Sequence, residues 1–307
     1  ASSGGHEKIV QILLEKGADV NAQGGHYGNA LQAASSEGYE KIVQILLEKG
    51  ADMNIQGGRY GNALQAASLR GHEKIVQILL EKGADVNIQG GEYGNALQAA
   101  SSGGHEKIVQ ILLEKGADVN AQGGHYGNAL QAASSEGYEK IVQILLEKGA
   151  DMNIQGGRYG NALQAASLRG HEKIVQILLE KGADMNIQGG RYGNALQAAS
   201  LRGHEKIVQI LLEKGADVNA QGGHYGNALQ AASLRGHEKI VQILLEKGAD
   251  VNAQGGHYGN ALQAASLRGH EKIVQILLEK GADVNIQGGH YGNALQAASS
   301  EGHEKIM

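Results

Sequence analysis

His6-Glu7-Lys8-Ile9-Val10-Gln11-Ile12-Leu13-Leu14-Glu15-Lys16-Gly17-Ala18-Asp19 is the stretch that decides the fold. Ile9, Val10, Ile12, Leu13 and Leu14 form a broad apolar stripe, and Glu7, Lys8, Gln11 and Glu15 lie on the other side, as in an amphipathic helix. Gly17 stops that helix, because glycine takes the left-handed conformation at little cost. The closing Gly-Ala-Asp then returns at Gly50, Gly83, Gly116, Gly149, Gly182, Gly215, Gly248 and Gly281, every step 33 residues.

Working outward, the other half of the unit reads Gln23-Gly24-Gly25-His26-Tyr27-Gly28-Asn29-Ala30-Leu31-Gln32-Ala33-Ala34-Ser35. A short helix is predicted from about Ala30 to Ser36, with Asn29 as its N-cap and Gly38 as its end. The glycine-rich stretch 18–28 is predicted to be a β-hairpin-like finger, with Gly24-Gly25 supplying positive φ. One such unit cannot bury its own apolar face, and stacked units can. The expected fold is an all-α repeat solenoid, a single array of about nine repeats over residues 1–307. Composition agrees: 307 residues contain no Pro, Cys, Trp, Phe or Thr but 48 Gly, as a short copied unit allows. Residues 100–198 repeat residues 1–99 with two differences, Val86 against Met185 and Glu92 against Arg191. Recent duplication or deliberate construction produces such a pattern.

Gly38-Tyr39-Glu40-Lys41-Ile42-Val43-Gln44-Ile45-Leu46-Leu47, followed by Gly50-Ala51-Asp52-Met53-Asn54, resembles the second helix and turn of the ankyrin repeat. The chain departs from that family's Thr-Pro-Leu-His tetrapeptide, reading Asn-Ala-Leu-Gln over Asn29 to Gln32. Asn29 and Gln32 are expected to replace part of the lost Thr–His bonding. The wording Gly-Gly-x-Tyr-Gly-Asn-Ala-Leu-Gln-Ala-Ala-Ser is similar to the ankyrin arrays of fungal nucleotide-binding, NLR-like (STAND-type) receptors. A designed consensus array would read alike.

The residues offer little chemistry. His72-Glu73-Lys74-Ile75-Val76 starts like a His-Glu-x-x-His zinc helix, but Val76 stands where the second His is needed. Finger histidines His224, His257 and His290 belong to consecutive repeats. Packed helices stand about 8–10 Å apart, too far for neighbouring rungs to share a zinc. The finger Gly24-Gly25-His26-Tyr27-Gly28 is not a phosphate loop, and no Gly-Lys-Ser/Thr follows any finger. The nine Asp all sit in Gly-Ala-Asp turns, so no Ser-His-Asp triad is supported. The expectation is no enzyme, no cofactor and no metal. A net charge of -5 argues against a nucleic-acid or membrane partner, and the longest apolar run, Ile-Leu-Leu, is far from a membrane span. The absence of Cys and of a signal-like N-terminus fits a cytoplasmic protein.

Variation between repeats concentrates at a few offsets: Tyr39 and Tyr138 replace His at the start of helix 2, the turn alternates Val20 with Met53 and Ala22 with Ile55 as packing, and two offsets bear on binding. The fingertip before Tyr reads His26, Arg59, Glu92, His125, Arg158, Arg191, His224, His257 and His290. The end of the short helix reads Leu69-Arg70, Leu168-Arg169, Leu201-Arg202, Leu234-Arg235 and Leu267-Arg268, with Ser36-Glu37, Ser102-Gly103, Ser135-Glu136 and Ser300-Glu301 elsewhere. The resemblance implies that these offsets line a concave binding groove for a protein or peptide ligand. All eight Arg occupy them, so a mildly basic groove is expected along an acidic body. The Tyr recurring in each finger is read as finger packing. The array lacks polar caps at both ends, opening inside a short helix and closing at Met307 inside a long one. A fragment, a designed array, or end-to-end self-association into filaments would each account for that.

Overall fold

Each copy of Glu-Lys-Ile-Val-Gln-Ile-Leu-Leu-Glu is a nine-residue helix, from Glu7–Glu15 to Glu271–Glu279, in a computed structural model that describes residues 1–303. The predicted helical state of Met307 lies outside the described residues. The preceding short helix of each repeat is nearly as long, as in Ala30–Glu37 and Ala63–Arg70. The described residues hold eighteen α-helices and no strand, which makes an all-α repeat array the observed fold class. The chain forms two compact units, Ala1–Asp151 and a second from Met152 onward.

The short helix is the centre of packing. It lies against its own helix 2 and, within a unit, against the short helices of adjacent repeats, whereas adjacent helices 2 touch lightly. Small side chains allow this approach: Ala66, Ala67 and Ser68 are fully buried. Helix 2 buries less than its stripe predicts. Ile42, Val43 and Leu46 are buried while Ile45 and Leu47 are half-buried, because only one side of the stripe faces a short helix.

Asn29 caps its helix as expected, its side chain accepting from the Gln32 N–H at 2.9 Å. Gln32 does more than complete the cap. Its amide donates to the Ile55 carbonyl at 3.1 Å and the Gly61 carbonyl at 2.8 Å in the next repeat. The Gly-Ala-Asp turn makes a second joint. Asp52 accepts from the Asn54 N–H at 2.9 Å, and Asn21 of the preceding repeat accepts from the Asp52 N–H at 2.8 Å.

The fingers are joined through the backbone as well. Within each finger Gly24 N–H donates to the Gly28 carbonyl at 2.7 Å, closing a single antiparallel bridge. Between fingers Glu92 N–H donates to Arg59 O at 3.1 Å and His125 N–H to Glu92 O at 2.9 Å, and in the second unit His257 N–H donates to His224 O at 2.9 Å. Gly58, at φ 60°, shows why these loops need glycine. A Cβ there would stand 2.5 Å from the Tyr27 carbonyl carbon and 2.6 Å from the Gly28 nitrogen.

Candidate interaction face of fingertips and helix ends

The two variable offsets come together at the surface. Tyr27, at the root of its finger, donates its hydroxyl to Glu37 at the end of the short helix at 3.0 Å, and Tyr126 does the same to Glu136. Fingertips His26, Arg59, Glu92, His125, Arg158, Arg191 and His290 are exposed, while His224 and His257 are half-buried. Arg70, Arg169, Arg202, Arg235 and Arg268 are exposed at the helix ends.

The leucines beside those arginines are a correction. Leu168, Leu201, Leu234 and Leu267 are only 2–4% exposed, and Leu69 is half-buried. The last turn of the short helix tucks this residue under the neighbouring repeats, so it cannot offer its side chain to a ligand in this structure. The face is built from the fingertips and the arginines.

Fingertip spacing is a second correction. His224 and His257 stack with ring centroids 4.9 Å apart, and His257 and His290 at 5.0 Å. The helix–helix distance of about 8–10 Å does not apply, because fingers pair through their backbones at about the separation of neighbouring strands. Parallel stacked rings still form no chelate, and no group of three or more His, Cys, Asp or Glu among the described residues could hold a metal. The tyrosines stack behind them, Tyr192 on Tyr225 at 6.4 Å and Tyr225 on Tyr258 at 6.2 Å, as packing of the fingers requires.

Charge is also divided differently from a uniform basic groove. In the first unit the variable offsets carry two Arg and three Glu, and Arg59 pairs with Glu92 at 2.7 Å. In the second they carry six Arg and one Glu. The cationic part of the face therefore belongs to the second unit.

The His that opens helix 2 has a role that the residues alone did not reveal. His72 Nε2 donates to the Ser36 carbonyl of the preceding repeat at 2.9 Å, and His237 to the Leu201 carbonyl at 3.2 Å. Its ring lies over Gly38, where a Cβ would meet it at 2.6 Å. The pairing of a Gly ending one helix with a His 34 residues later was a usable signal. Burial holds the His237 imidazole below its usual pKa, partly opposed by its bond to Leu201, and burial with nearby His257 and Arg191 does the same for His224. Both rings thus favour the neutral form when folded. The unfolded chain binds more protons as pH drops below about 6.5, so their stabilisation is complete above that pH and is lost as pH falls through the lowered folded values. Between pH 7.5 and 5.5 the urea midpoint should fall, and it should fall less in His224→Gln/His237→Gln. An equal fall in both proteins contradicts the assignment.

Among the described residues no helix is long and apolar enough to cross a membrane. A search of curated proteins finds no match to this chain. Among solved structures it is similar to the human ASB11 ankyrin repeat domain, with a TM-score of 0.60 and 26% identity over 70% of this chain and 96% of that one. The family model described as "Ankyrin repeats (3 copies)" matches residues 1–57, 32–123, 63–156, 130–222, 163–255 and 222–288. With the capped short helix, the backbone-paired finger and this match running through most of its length, the chain belongs to the ankyrin-repeat family.

Proposed function

We propose that the chain is a non-catalytic interaction module that holds a protein or peptide ligand on the face made by its fingertips and short-helix ends. Ankyrin repeats mediate protein–protein interaction in general, and proteins built from them are typically non-enzymatic scaffolds. The observation that carries the reading is where variation falls. Buried positions such as Gln65, Ala66 and Ser68 are the same in every repeat, whereas the fingertips and the exposed last residue of the short helix change from one repeat to the next. The unbroken period supports a single array over residues 1–307. The Gly-Gly-x-Tyr-Gly-Asn wording supports a place as the ligand-sensing region of a larger cytoplasmic receptor of the fungal NLR-like kind, with nucleotide binding housed elsewhere in that parent.

Peptides selected from a random display library on the full chain provide the test. Arg169, Arg202, Arg235 and Arg268 changed together to Glu should abolish binding of the selected peptides, with helical circular dichroism and the melting temperature retained. Undiminished binding by the quadruple variant would overturn the assignment of this face.

A further inference from the structure

In the first unit a carboxylate occupies a defined seat between finger and short helix. Glu37 and Glu136 each accept from the hydroxyl of the tyrosine ten residues earlier, at 3.0 Å. In the second unit the same offset carries Arg202, Arg235 and Arg268, all exposed. Their tyrosines, Tyr192, Tyr225 and Tyr258, stack in one row at 6.4 and 6.2 Å. None of these three hydroxyls has a hydrogen-bond partner among the described residues; Tyr192 and Tyr225 are 8% and 6% exposed and Tyr258 is half-buried. Among the described residues no Asp or Glu pairs with the three arginines. The tyrosine row is retained, and at the offset of the first unit's carboxylate stands the opposite charge.

We infer that this row takes an extended acidic peptide with carboxylates at alternate residues. The inference rests on the reading of fingertips and helix ends as the ligand face. Side chains i and i+2 of an extended chain lie on one face about 6.6 Å apart, close to the 6.2 and 6.4 Å between the tyrosine rings. Each carboxylate accepts from one phenol and one guanidinium, and such charge-assisted bonds are the strong ones. A nucleic acid is disfavoured, because a long polyanion running beyond the row meets a framework of 19 Lys against 28 acidic residues.

The test uses the full chain at low salt and fluorescein-labelled Glu-Ser-Glu-Ser-Glu-Ser-Glu, read by anisotropy. Controls are the same peptide with Gln for Glu, a peptide with the same Glu residues contiguous, and an oligothymidylate of equal charge. The alternating peptide should bind and the Gln peptide should not. The contiguous peptide should bind about tenfold more weakly, because it cannot fill every seat. Arg202→Glu/Arg235→Glu/Arg268→Glu should abolish binding. Tyr192→Phe/Tyr225→Phe/Tyr258→Phe should weaken it about tenfold at an unchanged melting temperature, through the lost hydrogen bonds alone. Equal binding of the contiguous peptide or the oligothymidylate, or indifference to either triple variant, overturns the inference. If the alternating peptide fails while library-selected peptides still lose binding in the arginine-to-glutamate quadruple, the ligand face stands and the acidic inference falls. If the selected peptides ignore that quadruple, both fall.

Discussion

Gln65→Met should lower stability by about 3 kcal/mol, a large cost for a substitution that nearly conserves volume. The Gln65 side chain accepts from the Asn62 N–H at 3.0 Å and donates to the Ile88 carbonyl at 3.2 Å and the Gly94 carbonyl at 3.1 Å. Gly94 keeps its bond from the Gly90 N–H, so two backbone groups are orphaned, those of Asn62 and Ile88. Each unsatisfied buried polar group costs about 1–3 kcal/mol. Gln65→Glu should be worse still, because it turns two donor contacts into a carboxylate facing carbonyl oxygens. Urea melts of the two variants check this. A loss under about 1 kcal/mol for methionine, or a milder effect for glutamate, would show that the amide is not the joint between repeats.

The second large effect has the opposite sign. Ser167, Ser200, Ser233 and Ser266 are at most 1% exposed, and among the described residues the hydroxyl of each has no hydrogen-bond partner. Ser299, in the exposed last repeat, instead donates to the Leu295 carbonyl at 2.7 Å. A hydroxyl stripped of water without a replacement bond destabilises the fold, and alanine is also the better helix former. Changing the four serines together to Ala should stabilise the second unit by about 4 kcal/mol, roughly 1 per site. The urea midpoint should rise with an unchanged m-value. A midpoint that stays put or drops would mean that buried water satisfies these hydroxyls.

These two residues also mark how far the amino-acid sequence could be read. The helices, the asparagine cap, the glycine stops and the finger all follow from local rules, because each is decided within a few residues. The joints do not. In a chain that repeats every 33 residues, a bond from Gln32 to its own finger and a bond to the next one predict the same sequence. Gln32 therefore reads as part of its own helix cap, although it, like Asn21 and His72, ties one repeat to its neighbour. The same ambiguity hid the burial of Leu168 and its equivalents. Their alternation with Ser marked them as variable, but variation at a packed position records which neighbour it packs on. The arginines next to them were placed correctly at the surface, where a guanidinium keeps its hydration.

Where a fingertip N–H donates to the preceding fingertip carbonyl, as from Glu92 to Arg59 and from His257 to His224, the bond is made by main-chain atoms alone. Its geometry is blind to whether histidine, arginine or glutamate stands there, so the spacing of the row survives any exchange of its letters. A copying error that adds or removes whole units of 33 residues regenerates the same seam wherever it falls. The near-duplicate of residues 1–99 at 100–198 has that form. Such a molecule can rewrite what it displays by genetic shuffling, with no need to re-solve its own folding at each step.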